Sequence, residues 1–187
     1  DFIYLRPELP PTLTIRGAFP TFYYRQTDAL LSGIDVSAQY RPWRKMSVMG
    51  RGSLLRARNV RDNEWLVMMP ADRVELEVDF LPTARPRVRE NVVGIVAQYV
   101  VEQTRVPANS DFVAPPPAYL LFHLEASTTL QWNRQQLVVG LSVRNLLNSS
   151  YRDYLDRFRY YTDAMGRNIV LRLRMPLAFT KAEKIKR

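Results

Sequence analysis

The sequence of 187 residues contains no cysteine. This absence excludes disulfide scaffolds, zinc-thiolate sites and thiol catalysis. The sequence also lacks any run of about eighteen consecutive apolar residues, the length that a membrane-spanning helix requires. Hydrophobic residues nevertheless make up 47% of the chain, and polar residues separate them almost everywhere. This mixture favours strands with one polar and one apolar face.

The charge balance is strongly basic, with 27 Lys and Arg against 18 Asp and Glu, a net charge of +9 and a pI near 10.1. Such a balance can indicate nucleic-acid binding. The basic residues are scattered, however, and only Lys181, Lys184, Lys186 and Arg187 form a cluster. No basic stripe with aromatic stacking positions is visible, so we expect no nucleic acid among the partners.

Alternation with a period of two residues recurs along the whole chain and predicts antiparallel strands. In the clearest example, Val74, Leu76, Val78 and Phe80 alternate with Glu75, Glu77 and Asp79. The pattern predicts eight strands, at residues 2–6, 28–41, 46–58, 72–81, 88–104, 118–130, 136–145 and 167–179.

The connections between these strands alternate in length. Short connections fall near residues 42–45, 82–87 and 131–135, where a hairpin at Asn133 and Arg134 is expected; long ones span 7–20, 59–71, 105–117 and 146–166. Bacterial outer-membrane barrels have short periplasmic turns and long extracellular loops. The asymmetry therefore predicts such a barrel, with its last strand running towards the periplasm.

The distribution of charged and aromatic residues supports the same prediction. Charged residues lie opposite the apolar face, and an Arg or Lys at the midplane of a lipid face would cost roughly 2 to 4 kcal/mol. The polar face should therefore line a watery or plugged lumen. Aromatic residues cluster near strand ends, as interfacial girdles require, at Phe22, Tyr23, Tyr24, Tyr40, Trp43, Trp65, Tyr119, Trp132 and Phe179.

From Gly140 the chain reads GLSVRNLLNSSYRDYLDRFRYYTDAMGRNIVLRLRMPLAF, which closely resembles the end of TonB-dependent receptors. That family shows a strand, a V-x-N-L-[FL]-[ND] segment followed by Tyr, a loop, a G-R start to the final strand and a terminal aromatic residue. Residues 27–42 and 69–80 also resemble consecutive strands of such barrels. The matching positions here are Val143, Asn145, Leu146, Leu147, Asn148, Tyr151, Gly166, Arg167 and Phe179.

The resemblance implies an all-β, antiparallel transmembrane β-barrel of about 22 strands, of which this chain supplies about eight C-terminal ones. Residues 1–179 would belong to the barrel domain, and residues 180–187 would form a basic tail that is disordered or derived from cloning. Because the sequence opens inside a strand, we expect either a trimmed precursor or a missing N-terminal part. The plug domain and its energy-coupling box are not among these residues.

The resemblance also implies a function and partners. The parent protein would import an iron-siderophore, haem, cobalamin or a similar nutrient across the outer membrane of a Gram-negative bacterium. Its partners would be outer-membrane lipid, its own N-terminal plug, the energy-coupling complex and a small-molecule ligand. We expect no enzymatic activity, catalytic residue, cofactor or resident metal.

Two groups are candidates for ligand binding. The single histidine, His123, and Glu125 are predicted to face the lumen, where His123 could bind a ligand or instead form hydrogen bonds, for example to the plug. Arg152, Arg157 and Arg159 lie in a predicted loop and could contact an anionic ligand. That loop could be an amphipathic helix capped by Ser149 or Ser150 and ended by Gly166, but a packed loop closing the barrel rim is the favoured interpretation.

The carboxylates Glu75, Glu77 and Asp79 could in principle act as catalytic acids. Their spacing on one strand face indicates a solvated wall instead, balanced by basic residues elsewhere such as Arg172 and Arg174. Two other hypotheses remain beside the receptor: a complete eight-stranded barrel with a structural or adhesion role, and a soluble nucleic-acid-binding β-protein.

Overall fold

The computed structural model describes residues 2–8, 21–111, 113–132 and 135–176. The described residues form antiparallel strands and one short 3₁₀ turn at Arg157–Tyr160. The strands are β1 Phe2–Glu8, β2 Thr21–Thr27, β3 Ala29–Trp43, β4 Met46–Asn59, β5 Glu64–Trp65, β6 Arg73–Phe80, β7 Val88–Val100, β8 Tyr119–Trp132, β9 Gln135–Arg144 and β10 Asn168–Arg174.

The main sheet has the order β10-β9-β8-β7-β6-β4-β3, with the short β5 paired to β4. Every pairing is antiparallel and joins strands that follow one another along the chain, apart from the short β5. A second sheet consists of β1 and β2. Hydrogen bonds link it to β5 and β4 of the main sheet, since Arg6 donates to Glu64 at 2.8 Å and Thr27 donates to Asn59 at 2.6 Å. The result is the meander expected of a barrel wall.

All eight predicted strands are present, and the predicted all-β fold is confirmed. Two strands were missed. The two-residue β5 lies within the predicted loop 59–71, and β2 precedes β3 with only Asp28 between them and pairs with β1 rather than with β4. The predicted strand at 88–104 is too long, because β7 ends at Val100. Beyond it the buried Gln103 leaves the ladder and donates to the carbonyl oxygens of Met69 and Pro70.

The register separates the side chains onto two faces. The apolar face is represented by Ile34 on β3, Leu76 on β6 and Ile95 on β7, all about half exposed or more. The polar face carries Glu75, His123 and Ser142, and with the exception of Val143 the buried strand residues of the main sheet lie on this face. The apolar face is therefore the one left open to its surroundings.

One expectation about the charges is wrong. Charged residues were predicted only opposite the apolar face, but Arg56 and Arg58 pair with Ser32 and Leu30, which places both arginines on the apolar face. Glycine has no side chain, so positions 50 and 52 give no indication in the sequence of which residues of β4 lie on the apolar face.

The predicted difference in connection length is present. Two residues join β3 to β4, whereas residues 60–72, 101–118 and 145–167 form the longer connections at the opposite end of the sheet. We refer to that end as the long-loop end. The predicted features at residues 9–20, Asn133, Arg134, Phe179 and the tail 180–187, and the side chains of Phe22 and Trp132, lie outside the described residues. Within the described ranges, no helix is long and apolar enough to cross a membrane.

Candidate functional site on the polar face and in the closing loop

The polar face carries an arginine between two carboxylates. Arg51 on β4 contacts Glu75 and also donates to Glu77 at 3.0 Å on the neighbouring β6. The counter-charge for these carboxylates thus comes from Arg51 and not from Arg172 or Arg174, neither of which forms an ion pair with a described residue. An open cleft of about 320 Å³ lies here and is lined by Asp35, Ser37, Arg51, Arg73, Glu75 and Gln98.

His123 is buried on the polar face and both of its ring nitrogens face protein atoms. Its Nδ1 accepts a hydrogen bond of 3.0 Å from the backbone N–H of Asn145, and its Nε2 lies 3.5 Å from Oε1 of Gln98. An accepting Nδ1 requires the proton on Nε2, which can then donate to Gln98. The side chain thereby holds the end of β9 against β8. Its predicted role in ligand binding stays a prediction.

Glu125 lies two residues further along β8 on the same face. It accepts a hydrogen bond from Ser142 at 2.9 Å and lies 3.3 Å from the guanidinium of Arg144. Both partners belong to β9, so Glu125 and His123 together join β8 to β9 through side chains. Among the described residues, no group of three or more His, Cys, Asp or Glu could hold a metal ion.

The NLLN segment that carries the family resemblance forms a tight turn at the end of β9. Asn145 and Asn148 both have positive φ, of 49° and 55°, a conformation that asparagine tolerates better than most residues. The Asn145 side chain exchanges two hydrogen bonds with the backbone of Ser149, at 2.8 and 2.9 Å. The N–H of Leu146 donates to the carbonyl oxygen of Phe122. The motif thus reverses the chain while staying attached to β8.

Asn148 also fixes the point where the last strand begins. Its Oδ1 accepts a hydrogen bond of 2.8 Å from the N–H of Arg167. A Cβ atom on Gly166 would lie only 2.7 Å from that oxygen, so the glycine provides space for the contact. The motif positions at both ends of the loop therefore meet in one hydrogen-bonded junction.

Residues 145–167, which we call the closing loop, form a packed loop as favoured above. Only Arg157–Tyr160 is helical, as a 3₁₀ turn capped by Asp156. The ring of Tyr151 packs on Tyr119 of β8 with centroids 4.7 Å apart, and the Tyr119 hydroxyl donates to Asp153 at 2.7 Å. The Tyr151 carbonyl oxygen accepts from the N–H of Ala164. These contacts fold the loop back over the end of β8.

The three candidate arginines of the closing loop have different surroundings. Arg152 is exposed and donates to Asp163 at 2.7 Å. This hydrogen bond lowers the pKa of the Asp163 carboxyl. Arg157 is exposed, and no described residue forms an ion pair with it. Arg159 is buried, so the structure does not bring the three guanidinium groups into one common site.

Arg159 is the centre of a cluster that joins the closing loop to residues 101–118. Its guanidinium forms an ion pair with Asp111 and lies 4.6 Å from the ring centroid of Tyr154 and 4.9 Å from that of Tyr160. Burial raises the pKa of both tyrosine hydroxyls above their ordinary value of 10.0. We call Asp111, Tyr154, Arg159 and Tyr160 the rim cluster.

The rim cluster could not be predicted from the sequence, because Asp111 and Arg159 are 48 residues apart. Beside it lies an open cleft of about 300 Å³ at the long-loop end. The cleft is lined by residues 113–117, Ser150, Tyr151, Arg152, Arg159 and Asp163. Two of the three candidate arginines thus border one cleft, and Arg157 does not.

These features define the wall of an outer-membrane type of β-barrel, with one apolar and one polar face and packed loops at one end. Solved structures share this fold, among them those of OprC and BauA. The copper transporter OprC matches with a TM-score of 0.71 at 16% identity, over 90% of this chain and 26% of its own. BauA, the ferric preacinetobactin receptor from Acinetobacter baumannii, matches with a TM-score of 0.62 at 16% identity, over 90% of this chain and 25% of its own.

Both neighbours are TonB-dependent receptors, and the chain has the fold of part of their barrels, as the sequence predicted. The chain spans about a quarter of the length of either protein. No protein-family model matches the sequence, and no curated protein matches it significantly.

Proposed function

We propose that the chain is the C-terminal part of the barrel of a TonB-dependent receptor that imports a scarce nutrient across the outer membrane of a Gram-negative bacterium. The observation that carries this proposal is the division of one continuous sheet into an apolar face and a polar face, with the packed long loops at one end. Lipid can cover the apolar face, and a plug or water can cover the polar face. In this proposal residues 1–179 belong to the barrel and residues 180–187 form a basic tail.

We further propose that the cargo is a metal ion or a metal chelate. The two neighbours are described as a copper transporter and a ferric preacinetobactin receptor. Haem and cobalamin contain a chelated metal and belong to the same broad class. The partners would be outer-membrane lipid, the receptor's own N-terminal plug and the energy-coupling complex, and not nucleic acid.

Ligand contacts would come from two places. On the polar face, His123 and Glu125 lie near the long-loop end of β8, where a plug or a passing ligand could meet them. In the closing loop, Arg152 borders the cleft of about 300 Å³, and the exposed Arg157 is available to an anionic chelate. Arg159 forms a buried ion pair with Asp111, so its role would be to hold together the loops that form the cleft.

The test uses the full-length protein that contains these residues. A strain lacking the gene is compared with a complemented strain for growth on limiting copper, ferric siderophores, haem or cobalamin, with and without a functional energy-coupling complex. Growth that needs both the gene and the complex supports the proposal. Growth unaffected by the loss of either one, for every nutrient in the panel, contradicts it.

The alternative of a complete eight-stranded barrel has a separate test. Among the described strands, β10 has no partner on its second side, whereas a closed barrel needs one. If the 187-residue chain alone gave heat-modifiable migration and a closed barrel in detergent, the small barrel would replace the receptor fragment as the proposed architecture.

A further inference from the structure

The two arginines on the apolar face are the starting point. Outside the bulges at Tyr40–Trp43 and Arg89–Val92, Arg56 and Arg58 are the only charged residues that the register of β3 to β10 places on this face. Both lie at the end of β4 that leads into the long connection 60–72. Because these two arginines do not face the lumen, their position on the apolar face needs another explanation.

The apolar face of β4 indicates the depth of these arginines. The residues on that face carry no charge from Met46 to Leu54, a span that matches the roughly nine to eleven residues that a tilted strand needs to cross the hydrocarbon layer. In the proposed orientation, Arg56 and Arg58 then lie at the headgroups of the outer leaflet. A charge there costs far less than at the midplane, where the penalty is largest.

The surrounding residues form a compact cluster of basic groups. Arg56 donates two hydrogen bonds to Asp72, at 2.6 and 2.8 Å, and Arg105 donates a third to the same carboxylate at 2.9 Å. Arg58 stacks on Trp65, with its guanidinium carbon 4.5 Å from the ring centroid, and is exposed. Two guanidinium groups, those of Arg56 and Arg105, thus share the single carboxylate of Asp72, and Arg58 forms an ion pair with no described residue.

Other carboxylates lie near this cluster but do not neutralise it directly. Asp62 accepts a hydrogen bond of 2.7 Å from Asn59, and Glu64 is paired with Arg6. Asp28 is exposed between β2 and β3 and forms no ion pair with a described residue. The outward-facing arginines consequently keep hydrogen-bond donors for a further anion.

We propose that Arg56, Arg58 and Arg105, with Trp65 beside them, bind the phosphate groups of an anionic lipid in the outer leaflet. This inference depends on the membrane location in the proposed function. Guanidinium groups bind phosphate through paired hydrogen bonds, and an aromatic side chain at the same depth is typical of a membrane interface. A lipid phosphate would compete with Asp72 for Arg56 and Arg105 and would meet Arg58 directly.

The experiment measures lipid binding to the purified full-length protein in detergent after removal of bound lipid. The probes are bisphosphorylated lipid A, the same lipid without its phosphates, and inorganic phosphate, each titrated by native mass spectrometry. We expect the phosphorylated lipid to bind best. The double variant Arg56→Gln and Arg58→Gln should weaken its binding about tenfold or more, without changing the binding of the dephosphorylated lipid.

Two further variants distinguish a lipid site from a purely structural network. Asp72→Asn frees the guanidinium groups and should tighten binding of the phosphorylated lipid, whereas a structural role predicts lower stability with no gain in affinity. Arg172→Gln removes an exposed arginine from the polar face and should leave binding unchanged.

Three results would overturn the inference: equal affinity for the two lipids, equal binding by wild type and double variant, or full competition by inorganic phosphate at a similar concentration. The last result would assign the site to a soluble anion. Heat-modifiable migration, recorded on the same samples, reports whether the protein forms a barrel. A protein that forms no barrel contradicts both the proposed function and this inference, whereas a well-formed barrel without phosphate dependence contradicts the inference alone.

Discussion

The same chemical pair, an arginine and a carboxylate, occurs in two contrasting regions of the molecule. On the polar face the side chain of Arg51 is 48% exposed beside Glu75 and Glu77. In the rim cluster the side chain of Arg159 is only 3% exposed beside Asp111. Water can solvate the exposed guanidinium of Arg51 if a carboxylate is lost. It cannot easily reach the buried guanidinium of Arg159 if Asp111 is lost. We therefore expect the wall to tolerate the loss of Arg51 better than the loops tolerate the loss of Arg159.

Replacing Arg159 should have the largest effect on stability. Arg159→Met leaves Asp111, whose side chain is only 11% exposed, without a counter-charge and should destabilise the long-loop end by about 3 to 5 kcal/mol. Denaturant unfolding of the full-length protein, together with protease cleavage within residues 101–118, measures the change. Arg51→Ala is the matched control and should cost at most about 1 kcal/mol. Similar losses for the two variants would remove the contrast between wall and loop.

The double variant Arg159→Met with Asp111→Leu sharpens the same comparison. It removes both charges of the ion pair, so no charge is left without a partner. The double variant should therefore be more stable than Arg159→Met alone. A double variant that is less stable than the single variant would show that Asp111 has another important partner.

Charge on the apolar face should have the next largest effect. Leu171 and Val170 are neighbours on β10 and point to opposite faces, opposite Leu141 and Ser142 of β9. Leu171→Arg should cost about 2 to 4 kcal/mol in a membrane because it places a charge in lipid, and Val170→Arg should cost much less because it faces a polar environment. The midpoint of unfolding in lipid vesicles gives both values. Equal costs would contradict the assignment of the two faces.

A smaller loss is expected at the junction of the closing loop. Gly166→Ala pushes Asn148 away from the N–H of Arg167 and should cost about 1 kcal/mol. Gly50→Ala adds a methyl group where no atom lies within 4 Å and should change stability by less than about 0.5 kcal/mol. Thermal unfolding of both variants checks the difference; an effect of Gly50→Ala as large as that of Gly166→Ala would speak against the junction.

The smallest effect concerns pH. The hydrogen bond from Arg152 lowers the pKa of Asp163 below its ordinary value of 3.8. A lowered pKa in the folded state means that the contact stabilises the loop above the unfolded-state pKa and is lost as pH falls through the folded-state value. Stability should therefore decline in this acidic range in the wild type, and Asp163→Asn should remove that part of the decline. Acid titration of both proteins tests this, and identical profiles would show that Asp163 does not contribute.

Much of the wall could be predicted because its signal is local. Alternation can be recognised from a short stretch of sequence. For every predicted strand, the ends that the structure describes lie within a few residues of the predicted ends. Strands and faces were missed where the local signal was weak. Residues 21–27 form their strand by pairing with β1, which is distant along the chain. The glycines at positions 50 and 52 left the face of Arg56 and Arg58 undetermined until pairing with β3 fixed it.

The candidate site was less predictable than the wall. The sequence placed His123 and Glu125 on the polar face, and the register agrees, but it could not show that the N–H of Asn145 donates to His123. Arg152, Arg157 and Arg159 looked equivalent in the sequence. The structure separates them into an exposed ion pair, an exposed arginine without a described partner, and a buried arginine.

The sequence by itself determined most of the strands and of their faces, the unequal connections and the family that the end of the chain resembles, because each of these depends on residues close together along the chain. Only the tertiary structure decided which side chains meet. The pairing of Asp111 with Arg159 and the meeting of Asn148 with Arg167 join residues that are distant in sequence. Such contacts exist only after the strands have aligned, since the register then brings loops from different parts of the chain to the same end of the sheet.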